Sequence, residues 1–248
     1  MSFFTNLTTQ ADVAEEKDSL GGSRTLDTNI YKMKVAMAYL HKSEGGALAV
    51  NLHLKGENGE ELKPAIYVTS GNAKGNKNYY ENTKGEKQYL PGFNLMNSLA
   101  LLTTGKDLAS LEDTIEEKVV NVYNFESQAE VPTKVNVVMG LLDQDIYVGV
   151  VRQTVNKKKK IEGTNDYETL AETRDENDID KFFCAREGYD KLTSAEIKAG
   201  AKEPAFFDAW KEKNAGKTRD KTEKTSTAAK AGAPAKPAAG KPSSSLFA

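Results

Sequence analysis

Two neighbouring runs with a strict period of two constrain this chain more than any other feature. Tyr31, Met33, Val35, Met37 and Tyr39 alternate with Lys32, Lys34, Ala36 and Ala38. After a Ser43-Glu44-Gly45-Gly46 turn, Leu48, Val50, Leu52 and Leu54 alternate with Ala49, Asn51, His53 and Lys55. Apolar side chains at every second position belong to strands with one buried face. Gly56 to Gly59 supplies a hairpin turn, and Ala65–Thr69 reads as a third strand. In that strand Ile66 and Val68 share one face, which leaves Tyr67 on the other.

Further along, Lys77–Glu81 and Lys87–Leu90 flank Asn82-Thr83-Lys84-Gly85 as a small hairpin. Pro91-Gly92 breaks the strand pattern. Phe93, Leu95, Met96, Leu99 and Leu102 then recur at helical spacing up to Gly105. Val119–Phe125, Lys134–Leu142 and Asp145–Val155 are β-branched runs, the last expected to be a long final strand. Three strands in a meander, a helix and further strands match the chain order of an OB-fold, a five-stranded, partly open Greek-key barrel. An SH3-like or other small barrel remains the alternative. The expectation is a mainly β, OB-fold-like core over residues 28–156 with an inserted hairpin. Residues 1–27 form a polar leader, in which a short helix through Asp12–Asp18 is compatible with the sequence.

From residue 157 the character shifts. Lys157, Lys158, Lys159 and Lys160 read as a basic loop, followed to residue 213 by short helices packed on the core. Asp178–Phe183, Thr193–Lys198 and Glu203–Trp210 are those helices. Thr193 with Glu196 fits a capping box, and Pro204 suits a first helical turn. Residues 214–248, rich in Lys, Ala, Pro and Ser, lack the apolar content to offset ordering entropy and are expected to be disordered. The net charge of −2 conceals an asymmetry: from Lys211 onward there are nine basic and three acidic residues, against 25 basic and 33 acidic before it. A basic tail on an acidic body favours contact with a polyanion.

Several chemistries are poorly served. No run approaches the ~18 apolar residues of a membrane span, and the N-terminus lacks the basic-then-apolar order of a secretory signal. A single cysteine, Cys184, forms no internal disulfide, which suits a reducing cytoplasm. His41, His53 and Cys184 are the only nitrogen or sulfur ligands, too few for an ordinary zinc site; no cofactor is implied. Gly71-Asn72-Ala73-Lys74-Gly75-Asn76-Lys77-Asn78 superficially suggests a phosphate-cradling nucleotide loop. A P-loop needs four residues between its glycines, an uninterrupted Gly-Lys and a following hydroxyl. Here three residues separate the glycines, Asn76 interrupts, and Asn78 replaces the hydroxyl. The acidic run Asp175, Glu176, Asp178 and Asp180 would have to converge on a metal pair to act as a nuclease, whereas a contiguous run reads better as a helix start.

The stretch Gly71–Phe93 fits a different demand. Unpaired nucleic acid offers base faces and a line of phosphates, so a binder interleaves aromatic platforms with cations. Four lysines (Lys74, Lys77, Lys84, Lys87) alternate here with Tyr79, Tyr80, Tyr89 and Phe93, the last expected in the core. Asn51, His53, Lys55 and Tyr67 lie on the outward faces of strands two and three, the usual ligand face of an OB-fold. Arg152 and Lys157–Lys160 add positive charge. His41 reads as surface.

The segments GGALAVNLHLK, IYVTSGNAKGNKNYY, QYLPGFN, EEKVVNVYNFE, VPTKVNV and VGVVRQTVNK resemble the single-stranded DNA-binding proteins of podovirus-type bacteriophages. The resemblance implies an OB-fold protein, not an enzyme, that coats single-stranded DNA during phage replication and recombination in the host bacterial cytoplasm. It carries loosely onto Tyr67, Lys74, Lys77, Tyr79, Tyr80 and Tyr89. Many replication binders end in an acidic run capped by an aromatic. Here Leu246 and Phe247 supply a candidate contact for phage or host replication proteins, but Lys230, Lys236 and Lys241 stand where the acids would be. RNA binding, strand annealing, a nuclease built on the 175–180 carboxylates and a scaffold using the basic tail remain alternatives. Oligomeric state is left open.

Overall fold

The computed structural model describes residues 25–124, 127–164 and 167–223. The expected leader helix at Asp12–Asp18 and the tail residues Lys230, Lys236, Lys241, Leu246 and Phe247 lie outside the described residues. No helix among the described residues is long and apolar enough to cross a membrane.

The chain is mainly β. Its strands are β1 (Asn29–Lys42), β2 (Leu48–Gly56), β3 (Glu61–Leu62), β4 (Ala65–Tyr67), β5 (Tyr79–Glu81), β6 (Lys87–Tyr89), β7 (Ile115–Asn124), β8 (Ala129–Val138), β9 (Asp145–Lys160), β10 (Tyr167–Cys184) and β11 (Thr218–Asp220). Helix α1 spans Pro91–Thr104, α2 Ser194–Lys198 and α3 Ala205–Asn214. Strand β1 is the hub. It pairs antiparallel with β2 on one side; on the other it pairs with β9 through Asn29–Lys34 and with β8 through Tyr39 and Leu40. β2 continues to β3 and β4, β7 joins β8, and β10 extends the sheet beyond β9. β5 and β6 form a separate hairpin.

The sheet does not close. Among the described residues no ladder joins β4 to β10, and α1 packs across that gap against β4, β9 and β10. Its apolar face is sequence-encoded: Met96, Leu99, Ala100 and Leu102 are fully buried. Gly105, at φ 78°, ends the helix in the left-handed conformation that glycine tolerates. Met33, Val35, Val50, Leu52, Leu54, Ile66, Val68, Ile146, Val148, Val150 and Phe182 complete this core.

The period-two reading of β1 holds only as far as Val35. A bulge between Val35 and Met37 shifts the register, so Ala38 is buried while Met37 and Tyr39 turn to the other face. An extra residue in a strand flips every later side chain. Three further expectations are corrected. Asp178–Phe183 is not a helix but part of β10, where Ile179, Phe182 and Phe183 are buried. Lys157–Lys160 is not a loop: β9 runs through all four lysines and is followed by β10, so it is not the final strand. Residues from Asn214 onward are ordered as far as the described chain extends. Asn214 ends α3, and Thr218–Asp220 forms β11, pairing parallel with Arg152–Thr154. The expected capping box is present: Glu196 N donates to Thr193 Oγ1 at 3.2 Å and Thr193 N to Glu196 Oε2 at 2.8 Å.

β11 is anchored by polar groups that a disorder rule cannot see. Behind β9 and β10, Val151, Phe183, Phe207 and Trp210 form a second small core under α3. There Trp210 Nε1 donates to Asp180 Oδ2 at 2.8 Å and Arg219 Nη2 to Asp180 Oδ1 at 3.0 Å. Thr28 Oγ1 donates to the Lys217 carbonyl. Ending the chain after Glu223 should leave stability unchanged, whereas ending it after Asn214 should cost at least about 2 kcal/mol, the loss of two or more net hydrogen bonds. Urea denaturation of the two truncations checks this.

The same cluster gives a pH dependence. Burial pushes the Asp180 carboxyl up, but the hydrogen bonds from Trp210 and Arg219 outweigh it and hold it below the ordinary aspartate range. A depressed carboxylate contributes stability above its unfolded value, about 3.9, and that contribution is lost as pH falls through the folded value. Asp180→Asn should therefore be less stable than wild type near neutrality. The difference should shrink as urea midpoints are followed from about pH 5 to about pH 2.

Candidate nucleic-acid interface

β4 is only three residues long, and its alternation drives Ile66 inward and leaves Tyr67 49% exposed. The chain then makes a compact loop rather than a phosphate-cradling turn. Asn72–Lys74 is a single 3-10 turn ended by Gly75 at φ 76°. Ser70 N donates to the Lys77 carbonyl at 2.8 Å, and Asn72 N to the Gly45 carbonyl at 2.8 Å. The loop is thus stitched to itself and to the turn after β1. A Cβ on Gly71 would stand 2.6 Å from the Gly45 oxygen, so glycine is required there by contact rather than by phosphate.

The expected hairpin follows, with Tyr79 opposite Tyr89, Tyr80 opposite Gln88 and Glu81 opposite Lys87. This pairing separates the roles of its tyrosines. Tyr89 packs on Phe93 with ring centroids 5.0 Å apart, tying the hairpin to α1. Phe93 itself packs against the core, as expected. The Tyr79 ring carries the ammonium groups of Lys77 at 5.5 Å and Lys87 at 5.2 Å. Such cation–π contacts are worth ~0.5–1 kcal/mol at exposed sites, and they fix two cations beside the ring. Tyr80 donates its hydroxyl to Gln88 Oε1 at 2.9 Å, which sets the ring's orientation while 44% of the residue stays exposed.

These elements enclose an open cavity of about 940 Å³, whose walls include Tyr67, Lys74, Lys77, Tyr79, Tyr80 and the first residues of α1. The helix end is a component that the sequence pattern does not announce. Pro91 occupies the first turn, with no acidic residue there and no side-chain cap. Unpaired amides at a helix N-terminus carry about half a positive charge and favour anions. Gly92 permits the approach: a Cβ would lie 2.1 Å from the Tyr67 carbonyl oxygen. The same lining contains one carboxylate, Glu81, and no histidine or cysteine. It offers flat faces, cations and amides, which suits binding a phosphodiester strand.

The structure gathers five of the expected residues at this cavity: Tyr67, Lys74, Lys77, Tyr79 and Tyr80. Lys87 reaches it through Tyr79, while Lys84 sits exposed in the hairpin turn, held by its amide on Asn82 Oδ1. Asn51 shares the outward sheet face with Tyr67, two residue pairs along the ladder. Further along that face, His53 Nε2 lies 2.5 Å from Glu61 Oε1 and so already has an acidic partner, and Lys55 is exposed. Tyr39, opposite Asn51, joins this face through the bulge in β1. His41 is exposed, as expected.

Arg152 belongs elsewhere. Its Nε and Nη2 both donate to Asp175 Oδ2, at 3.0 and 2.7 Å, and its Nη1 reaches Asp27 at 3.3 Å. Hydrogen bonds from Thr154 and then Arg152 hold the Asp175 carboxyl below its ordinary range. Arg152 is therefore engaged in ion pairs with Asp175 and Asp27. The acidic run is likewise distributed along β10, not a helix cap. Glu176 pairs with Arg174, Asp178 with Lys221 and Asp180 with Arg219. Among the described residues no three His, Cys, Asp or Glu side chains converge to hold a metal. No protein-family model matches the chain, and no curated protein matches it.

Gly92→Ala should displace α1 from β4 and cost on the order of 1–3 kcal/mol, the usual penalty for overpacking. A urea midpoint equal to wild type would refute the close approach of helix and strand.

Proposed function

We propose that the protein binds single-stranded DNA without catalysis, stacking bases on exposed tyrosines while cations and the α1 N-terminus hold phosphates. The observation that carries this reading is the convergence of Tyr67 and Tyr80 with Lys74 and Lys77 on one open cavity. Each stacked base contributes ~1–3 kcal/mol and tolerates any sequence. Tyr67 and Tyr80 are the stacking platforms, Tyr79 positions Lys77 and Lys87, and Tyr89 holds the hairpin. The chain order of β1, β2, β4, α1 and the strands after it supports an OB-fold-like assignment, with α1 filling the gap of an incompletely hydrogen-bonded barrel. The resemblance to podovirus single-stranded DNA-binding proteins adds the biological setting: coating DNA during phage replication and recombination in the bacterial cytoplasm.

The test is a titration of a fluorescent single-stranded oligonucleotide against duplex and RNA competitors, with and without Mg²⁺. Preference for the single strand without cleavage is expected; magnesium-dependent degradation would replace this reading by a nuclease, and an RNA preference by an RNA-binding protein. Tyr67→Ala and Tyr80→Ala should each weaken binding by ~1–3 kcal/mol, about 5- to 150-fold, and should do so at high salt as well. Lys74→Gln with Lys77→Gln should instead flatten the salt dependence, by about 0.7 for each phosphate of a single strand that is no longer neutralised. Removing residues 224–248, which hold four lysines and no acid, should also weaken binding and flatten that slope. Tighter binding by the truncated chain would mark the tail as a competitor of DNA.

A further inference from the structure

Beyond Thr154, where the pairing with β11 ends, β9 and β10 run on as a two-stranded ribbon. Cross-strand register sorts its four lysines by face. Lys159 stands opposite Glu168, and Lys157 Nζ lies 2.9 Å from Glu172, so carboxylates share this face. On the other face Lys158 stands opposite Thr169 and Lys160 opposite Tyr167. Neither Lys158 nor Lys160 has an ion-pair partner among the described residues, and Tyr167 is 59% exposed. Lys158 and Tyr167 line a groove of about 520 Å³ together with Arg174, Lys221, Glu176 and Glu223. Arg174 and Lys221 arrive paired with Glu176 and Asp178, at 2.9 and 3.4 Å. Glu223 N donates to Asn156 Oδ1 at 2.6 Å within this groove.

The groove is distinct from the first cavity and shares no lining residue with it. The depression between them, which shares Tyr67, Pro91 and Gly92 with the first cavity, carries Asp178 and Asp180. Those carboxylates interrupt any continuous cationic track, so the ribbon is a separate contact.

We propose that the Lys158–Lys160–Tyr167 face is a second site for unpaired polynucleotide, stacking a base on Tyr167 with flanking phosphates on Lys158 and Lys160. The chemistry is that of the first site, an aromatic plate between cations, and the inference rests on that functional reading. The occupant is either the distal part of the strand held at the first cavity or a second strand.

The experiment compares two variants of equal charge change: Lys158→Gln with Lys160→Gln, and Lys157→Gln with Lys159→Gln. All four positions are exposed, so folding should be unaffected. Each protein, with Tyr167→Ala alongside, is titrated with fluorescent oligothymidylates of about 8 and about 40 nucleotides, lengths chosen around the ~4–16-nucleotide footprint of one OB-type site. If the site takes the continuing strand, the 158/160 variant and Tyr167→Ala lose about tenfold or more for the long probe. The short probe then changes less than about twofold, and the long-probe salt slope of the 158/160 variant falls by about 1.4. If it takes a second strand, long-probe affinity holds but those proteins no longer capture a second, differently labelled short probe. Equal effects of the two lysine pairs, or no effect in either assay, would overturn the proposal. Failure of the wild-type protein to bind either probe would instead overturn the reading of the first site.

Discussion

The bulge between Val35 and Met37 is the constraint on which the rest of the structure depends. Before it, β1 presents Met33 and Val35 to the core and pairs with β9; after it, β1 presents Ala38 to the core and pairs with β8. One strand thereby belongs to two differently directed parts of a sheet, because an inserted residue bends a strand and increases its twist. The bend leaves a gap between β4 and β10 too wide for a ladder, and α1 fills it. The helix can fill it only because Gly92 lets its first turn rest against the Tyr67 carbonyl. The core and the cavity therefore share an origin: the residue that lets the helix close the fold also brings its amide end to Tyr67.

Much of this is legible in the residues, and the failures share one physical cause. β2, β4, the β5–β6 hairpin and α1 each carry a local signal: alternation, a Gly-containing turn or an apolar stripe with a glycine stop. Tyr67 is directed outward by its neighbours Ile66 and Val68 alone. The bulge is not legible, because Met37 and Tyr39 continue the apolar alternation smoothly and only the pairing with β2 shows the slip. β10 misleads because its charges are long-range partners. Asp175, Asp178 and Asp180 look like a helix start until Arg152, Lys221 and Arg219 stand across from them. β11 escapes for the same reason: three polar residues have no local reason to be a strand, and gain one only beside Arg152–Thr154.

The candidate site divides along the same line. Composition within Gly71–Phe93 identifies the aromatic and cationic residues, since the chemistry of a nucleic-acid binder is compositional. It does not separate their roles. A tyrosine under two ammonium groups, one packed on Phe93 and one held by a glutamine are equivalent in sequence, and only the cross-strand register tells them apart. The α1 N-terminus stays hidden because a helix end contributes backbone, which has no residue signature beyond the missing acids after Pro91.

Register also decides what a charge run is worth. Lys157–Lys160 is one cationic patch in a loop but two unlike faces in a strand, because successive side chains point to opposite sides. Net charge over the β9–β10 ribbon says little, since the carboxylates of β10 cancel lysines only on the face they share. One side of that ribbon carries Lys157 paired with Glu172 and Lys159 opposite Glu168, the other Lys158 and Lys160 around an exposed tyrosine. In the first cavity the register is mixed: Lys77 and Lys87 flank the Tyr79 ring, while Glu81 stands opposite Lys87. In both places what a lysine offers a polyanion depends less on the count of lysines than on which residue the opposing strand returns to the same face.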